Sequence, residues 1–346
     1  MKTVSFLDPT RSEEASTGLD FVFIVDPLES LQPAHDSSVA LMEAAQAAGH
    51  RVLVTEISQL AISEGKAVAR CRDTRLRPAV LTDGRWLADT DWFAVSAPRM
   101  IALDDVAAVF MRTDPPVDAN YLRATFILDL VDPTRTLLVN SPAGLRDANE
   151  KIFALRVPEM CPATLVSASR EDIIDTVSRW GSAVLKPTDG MGGRGILLLR
   201  DHDPNMRSIL DTATHRGRDH VVVQKFIPAV AEDGDRRVIL LNGEPLGVIR
   251  RMASGAEFRC NMAAGADVHA DRVNDRDREI CRALAPELVS RGLHFVGIDV
   301  IGGMLTEVNV TSPTGIREID ALCGTHLGGD VIDWIAARCR SGASIR

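Results

Sequence analysis

Residues 185–195 read LKPTDGMGGRG and run straight into the apolar ILLLR. A loop with so many glycines can wrap an anion with its backbone N–H groups, but only if its flanks hold it in place. A Walker A loop has the pattern G-x-x-x-x-G-K-[ST] and feeds a helix, and a dinucleotide fingerprint also opens a helix. Here both flanks read as strands. The segment is therefore strand, glycine-rich turn, strand: a hairpin able to fold over a phosphate chain, with Lys186 at its mouth.

A second stretch, GIDVIGGMLTEVNVTSP at 297–313, places polar groups inside two apolar strands. Glu307 and Asn309 are two apart, so they share a strand face. Burying a carboxylate and an amide there is costly without a cation or a hydrogen-bonding partner. With Asp299 on the preceding strand they form a set of hard oxygen donors suited to Mg²⁺ held between carboxylates and phosphates. The competing reading is a buried carboxylate paired with an arginine such as Arg317. The metal reading makes a geometric demand. A two-residue Gly302-Gly303 turn would set Asp299 opposite Thr306, whereas a three-residue loop over 302–304 sets Asp299 opposite Glu307. The longer loop is predicted.

The 346-residue chain has room for two or three domains,. With 45% hydrophobic and 25% charged residues it reads as globular,. A net charge of -9 and the lack of a long basic tract argue against a nucleic-acid partner,. Arg236, Arg237, Arg250, Arg251 and Arg259 nevertheless gather closely enough to suggest a small anionic ligand. The six cysteines form no C-x-x-C pair, which fits a reducing, cytoplasmic setting,. No apolar run is long enough to span a bilayer, so no membrane partner is expected.

Residues 1–20 read as an extension. FVFIVDP, SSVALMEAAQAAGH and RVLVTEI then form a β-α-β unit, with Asp36 or Ser37 as the helix N-cap, within an N-terminal doubly wound α/β domain over 21–146,. DANEKIFALRV is predicted to open a helix capped by Asp147 or Asn149 and carrying Lys151. A mixed α+β region follows, with a hairpin at Asn242-Gly243 and a helix near 275–291,.

The motifs GLRDANEK, LKPTDGMGG, DGDRRV, NGEP, NMAAG and FVGIDVIGGMLTEVNVTSPTGIREI occur in this order, after MRTDPP at 111–116. On these residues the chain resembles the prokaryotic-type glutathione synthetases, ATP-grasp ligases, from about residue 21 to its end. The resemblance implies a two-lobed ATP-grasp region, a central lobe over 147–226 and a C-terminal lobe over 227–346. It places Lys151, Lys186, Gly190, Gly192, Gly193, Gly195 and Asp235 at ATP, with Gln224, Lys225, Phe226 and Ile227 at the adenine. Asp299, Glu307 and Asn309 fall on ligands of Mg²⁺ (or Mn²⁺). Arg259, Asn261, Ser312, Pro313 and Thr314 fall at the peptide and amine substrates. A homo-oligomer is implied as well.

The implied reaction is ATP + γ-glutamylcysteine + glycine giving glutathione, ADP and phosphate. Such a ligase first phosphorylates the donor carboxylate. It then needs donors for the oxyanion that forms under amine attack, for which Arg237 and Arg251 are the candidates. No nucleophilic side chain is required, so Cys260 need not be catalytic. Thr113 stands where the family usually has lysine, and Cys260, Ala266 and Gly315 also depart from its pattern. A related peptide ligase with another donor or amine, or a silent ATP-binding regulator, are the alternatives.

Overall fold

The computed structural model describes residues 18–254, 258–262 and 265–341. Most of the predicted extension, and part of the stretch around NMAAG, thus lie outside the described residues. The N-terminal sheet grows from β1 (Asp20–Ile24), α1 (Ser37–Ala47) and β2 (Arg51–Thr55). β1 and β2 pair in parallel across the crossover helix. Asp36 is the cap: its carboxylate accepts from the N–H groups of Ser38 and Val39 at 2.6 and 3.1 Å,.

An antiparallel annex follows: β3 (Leu60–Ser63), β4 (Lys66–Leu76), the separate hairpin β5 (Val80–Thr82) and β6 (Arg85–Leu87), then β7 (Phe93–Val95) and β8 (Arg99–Ala102). Parallel pairing resumes with β9 (Ala108–Met111) and β10 (Leu137–Val139), which lies beyond α2 (Ala119–Leu128). The order is β10-β9-β1-β2-β4-β3, with β7 and β8 attached to β4.

After α3 (Pro142–Asp147) the expected helix does not form. Asn149 does act as a cap, its Oδ1 accepting from the N–H groups of Lys151 and Ile152, each at 3.2 Å. The turn then passes into two short 3₁₀ segments, Phe153–Arg156 and Pro158–Met160. Pro158 has no N–H and drives Val157 out of helical geometry, to φ -127° and ψ 65°,. Lys151 therefore sits on a tight turn and is buried.

The central sheet contains β11 (Thr164–Ser167), β12 (Ser182–Pro187), β13 (Leu197–Arg200) and β14 (Val221–Lys225), all antiparallel in the order β11-β14-β12-β13. α4 (Arg170–Trp180) and α5 (Met206–Ala213) seal one face, with Ile173, Val177 and Leu210 on Ala183, Leu185 and Leu199.

A short α6 (Val230–Asp233) leads into the third sheet: β15 (Asp235–Leu241), β16 (Glu244–Met252), β17 (Asp267–Ala270), then, after α7 (Asp275–Val289), β18 (Phe295–Ile301) and β19 (Met304–Asn309). Its order is β17-β16-β15-β18-β19. Strand alternation divides its two faces. Val238, Leu240, Ile298 and Val308 pack with Ile280, Leu284 and Leu288 of α7. Ile239, Ile249 and Phe295 pack with α8 (Ile316–Cys323), α9 (Leu327–Ser341) and the N-terminal sheet. That second face also carries, further along its strands, the polar groups considered next. Among the described residues no helix is long and apolar enough to cross a membrane.

Candidate active site

β18 and β19 are joined by Gly302-Gly303 alone, with Ile301 opposite Met304. Both glycines have positive φ, +55° and +74°, as the tight hairpin turn requires,. The predicted loop over 302–304 is therefore incorrect. Asp299 nonetheless faces Glu307, because a bulge shifts the register: Val300 pairs with Leu305 and Asp299 with Glu307, leaving Thr306 as the extra residue,. Its Oγ1 donates to the Asp299 carbonyl at 3.1 Å.

Across the sheet Arg237 faces Asp299, Asp235 faces Arg251, and Asn309 faces Gly297. The five arginines of the predicted cluster do not act together. Arg236 and Arg250 point to the opposite face, where they pair with Asp271, and Arg236 also with Asp277. Adjacent strand residues must diverge in this way. Arg317 pairs with Glu43 at 2.7 Å and does not neutralise the β18–β19 carboxylates.

The inward arginines form a buried quartet with two carboxylates. Arg237 donates to both Asp299 oxygens, Nε at 2.5 Å and Nη2 at 3.0 Å, and its Nη1 donates to the Thr314 carbonyl. Arg251 Nη2 lies 2.9 Å from Asp299 and also bonds Asp235. Burial alone would raise the Asp299 pKa, but the Arg237 and Arg251 guanidiniums overcome it and hold the carboxyl well below its ordinary range,. Asp235 is pushed up to about 6: burial raises it, Arg251 lowers it, and the Asp299 charge raises it again.

The two lysines approach β19 from different elements. Lys186 Nζ, on β12, donates to the Thr306 carbonyl at 3.1 Å. Burial lowers its pKa, and the Glu307 and Asp299 charges oppose that shift. Lys151 Nζ lies 3.3 Å from Glu307 Oε1 and donates to the Gly190 carbonyl, so it reaches both β19 and the glycine loop.

Two contiguous cavities result, with Glu307 in the walls of both. One is mostly apolar, walled by Val184, Ile196, Phe226, Ile227 and Phe258, with Gln224, Lys225, Lys186, Asp235 and Arg259 among its polar residues. The other is polar and holds Lys151, Gly190, Gly192, Gly193, Arg237, Arg251, Asn309, Ser312 and Thr314. Asn261 belongs to both walls. Two predicted residues lie apart: Gly195 lines an outer cleft beside α5, and Pro313 accepts a hydrogen bond from Arg112 through its carbonyl. The glycine loop touches the segment at 259–261: Arg259 Nη1 donates to the Gly193 carbonyl at 2.9 Å, and a methyl group on Gly193 would come within 2.6 Å of Asn261 Oδ1.

Two residues of the site were missed in the sequence. Glu150 is half-buried, and its Oε1 accepts from Val310 N–H, Thr311 N–H and Thr311 Oγ1 at 2.9, 3.0 and 2.8 Å, anchoring the chain beyond β19. Beside Lys151 in a polar turn it reads as solvated. Arg112 donates to Ser38 Oγ at 3.0 Å and to the carbonyls of Thr311 and Pro313, tying the N-terminal sheet to the substrate segment. A lone arginine ending an apolar strand was the available signal.

The donor set can be tested against a divalent ion. Seven bases (Lys151, Lys186, Arg194, Lys225, Arg237, Arg251, Arg259) and five acids (Asp114, Glu150, Asp235, Asp299, Glu307) line the two cavities, a formal excess of two positive charges that does not by itself balance a triphosphate. Among the described residues no group of three His, Cys, Asp or Glu side chains forms a ready-made metal cage. Two facing carboxylates plus an amide oxygen fit an ion that takes its remaining ligands from phosphates and water.

An apolar slot opening on a phosphate-sized polar cavity, between two antiparallel sheets and beneath a glycine hairpin, defines an ATP-grasp ligase. Residues 19–146 match the N-terminal domain of prokaryotic glutathione synthetase and residues 150–324 its ATP-grasp domain. The glutathione synthetase of Thermosynechococcus vestitus is 54% identical over 92% of this chain and 99% of its own, and that of Synechocystis is 50% identical over the same 92% and 99%. The chain belongs to the prokaryotic glutathione synthetase family. Among solved structures, the D-cycloserine synthetase DcsG superposes with a TM-score of 0.60 at 16% identity, covering 91% of this chain and 99% of that one. The ATP-grasp ligase PsnB, complexed with a minimal precursor, Mg and ADP, gives 0.58 at 16% identity, over 93% and 98%. These two share the fold.

Proposed function

We propose that the chain makes glutathione from γ-glutamylcysteine and glycine while cleaving ATP to ADP and phosphate. The observation that carries this reading is the convergence of Lys151, Lys186, Arg251 and Glu307 where an apolar slot meets the Ser312–Thr314 segment. The adenine would occupy the slot beside Gln224, Lys225, Phe226 and Ile227. Its phosphates would then lie under the Gly190–Gly193 backbone between the two lysines.

Asp299, Glu307 and Asn309 would hold Mg²⁺ or Mn²⁺, which neutralises phosphate charge as the γ-phosphoryl moves to the donor carboxylate. The chain's own task is chiefly positioning. Glu150 fixes the start of the Thr311–Thr314 segment, and Arg112 fixes its carbonyls. For the oxyanion formed under amine attack, Arg251 is better supplied than Arg237. Arg237 is engaged by Asp299 and Thr314, whereas Arg251 Nε is buried with no hydrogen-bond partner among the described residues. Contact between the glycine loop and the Arg259–Asn261 segment would keep water from the acyl phosphate,. No nucleophile is needed, and Cys260 is a buried thiol whose pKa is raised by burial. All six cysteines are free, as a reducing cytoplasm would keep them,.

The test is ADP release with ATP and Mg²⁺ while γ-glutamylcysteine and glycine are omitted in turn. Release should require both, and glutathione should appear in equal amount. Turnover that ignores this pair but proceeds with another carboxylate and amine would overturn the substrate assignment.

A further inference from the structure

Gln224 stands in the middle of three paired strands: Thr164 on β11 faces it from one side and Val184 on β12 from the other. Directly opposed residues share one face of a sheet. Here that face walls the apolar slot, to which Pro162, Val184, Lys186 and Gln224 contribute. Leu165, Leu185 and Val223 alternate to the other face and pack with the helices α4 and α5. Thr164 does not itself line the slot.

An amide can present either of its ends to a ligand, and a single hydroxyl decides which end Gln224 presents. Thr164 Oγ1 donates its only proton to the Pro162 carbonyl at 2.7 Å. Towards Gln224 it has lone pairs alone, and it accepts from Nε2 at 3.3 Å,. The acceptor end of the amide is thereby left over. Oε1 meets no donor among the described residues, on a side chain that walls the slot and belongs to a residue 3% exposed. The next two backbone N–H groups are already engaged: Lys225 donates to the Ala163 carbonyl at 2.8 Å and Phe226 to the Ser182 carbonyl at 3.2 Å.

We propose that Thr164 is a positioning residue for nucleotide choice, holding the Gln224 amide so that the slot offers an acceptor to a 6-amino purine and disfavours a 6-oxo purine. This rests on the placement of the nucleotide base in the slot given above. An exocyclic amine donates to Oε1, whereas a 6-oxo group meets a second acceptor there unless the amide reverses. Reversal would turn Oε1 to Thr164, whose proton must then leave the Pro162 carbonyl, so one hydrogen bond is lost. The penalty on the 6-oxo base is therefore set by a residue that does not touch it.

The experiment measures Kd for ADP and for inosine diphosphate, whose base carries a 6-oxo group and an N1 proton, by calorimetry with Mg²⁺ on the full chain. Wild type should bind ADP more tightly by about tenfold or more. Thr164→Val keeps the branched shape and frees the amide to reverse. It should bind inosine diphosphate about three- to tenfold more tightly than wild type does, the equivalent of one hydrogen bond, with Kd for ADP within about twofold. Thr164→Ser keeps the hydroxyl and should match wild type. A gain of affinity for the disfavoured base is a result that mere loosening of β11 would not give. Gln224→Met should lower the ADP preference at least as far, and adding Thr164→Val to it should then change neither Kd by more than about twofold. Equal binding of the two nucleotides by wild type would overturn the proposal. So would a Thr164→Val protein that weakens both alike or leaves inosine diphosphate unchanged, or an undiminished Thr164→Val effect in the Gln224→Met background. A wild-type protein that binds neither nucleotide would remove the placement of the base and this inference together. Binding needs neither peptide nor glycine, so the expected pattern in a protein that makes no glutathione would keep this inference and remove only the reaction assignment.

Discussion

Asp299 and Glu307 face one another, yet the structure gives them different duties, and a paired substitution separates these. Asp299 is 2% exposed and is bound by Arg237 at 2.5 and 3.0 Å and Arg251 at 2.9 Å. The charges of Arg237, Arg251, Asp235 and Asp299 cancel. Asp299→Asn keeps the shape but leaves one uncompensated buried positive charge. Breaking such a network costs about 3–5 kcal/mol, and the amide oxygen left behind favours the lower figure. Glu307 lies 3.3 Å from Lys151 and acts on the Lys186 charge, but its own charge also repels that of Glu150, so Glu307→Gln relieves a repulsion as it loses these attractions and should cost about 1 kcal/mol. At roughly 2–4 °C per kcal/mol, Asp299→Asn should melt at least about 6 °C below wild type without nucleotide or metal, and Glu307→Gln within about 3 °C of it. Both should lose about 10²-fold or more in kcat, as expected for removing a group that stabilises developing charge. The assay is a thermal melt of each apo protein beside an ADP-release assay in saturating Mg²⁺. Equal melting points for the two variants would refute the counter-ion role of Asp299. Undiminished turnover by Glu307→Gln would refute its place at the metal.

Three further outcomes are expected. Gly193 has φ +77° and faces Asn261, so Gly193→Ala strains the folded loop by about 1–2 kcal/mol and should lower kcat/KM for ATP by about tenfold and the melting point by about 2–8 °C. Arg112→Met removes the ties to Ser38, Thr311 and Pro313. It should destabilise the protein by about 2–4 kcal/mol and raise KM for the peptide donor more than KM for ATP. His294 is 3% exposed, and burial followed by the Arg338 charge lowers its pKa from 6.5 to about 4. The unfolded chain then takes up this proton first, so the His294 contribution is complete above about pH 6.5 and is lost as pH falls towards 4, by up to about 3 kcal/mol,. Denaturation of His294→Gln across this window should lack that part of the slope, and identical slopes would contradict it.

Much of the site could be read from the chain because its local constraints are strong. A glycine run between two apolar segments had to be a hairpin, and Glu307 and Asn309 had to share a face. The opposite facing of Arg236 and Arg237 followed from the same alternation, although their proximity suggested one cluster. What remained hidden depends on long-range pairing. The bulge at Thr306 is invisible locally, yet it restores the Asp299–Glu307 register that the short turn would have broken. The 3₁₀ geometry after Lys151 arises where Pro158 interrupts a plausible helix. Glu150 acquires its role only when the segment beyond β19 arrives to be bound. The annex around β4 left only a partial trace in KAVARCRDTRL, where Cys71, Thr74 and Leu76 are buried between exposed arginines but Ala67, Val68 and Ala69 are buried in succession,.

The account stands on activation of a carboxylate by phosphoryl transfer within the cavity of Lys151, Lys186 and Glu307. It is tested most directly with γ-glutamylcysteine whose cysteinyl carboxylate carries heavy oxygen, mixed with ATP, Mg²⁺ and glycine. Transfer of the γ-phosphoryl to that carboxylate, followed by amine attack at carbon, must leave one heavy oxygen in the released inorganic phosphate. Mass analysis should find it there in proportion to glutathione formed. Unlabelled phosphate beside newly made glutathione would contradict the account.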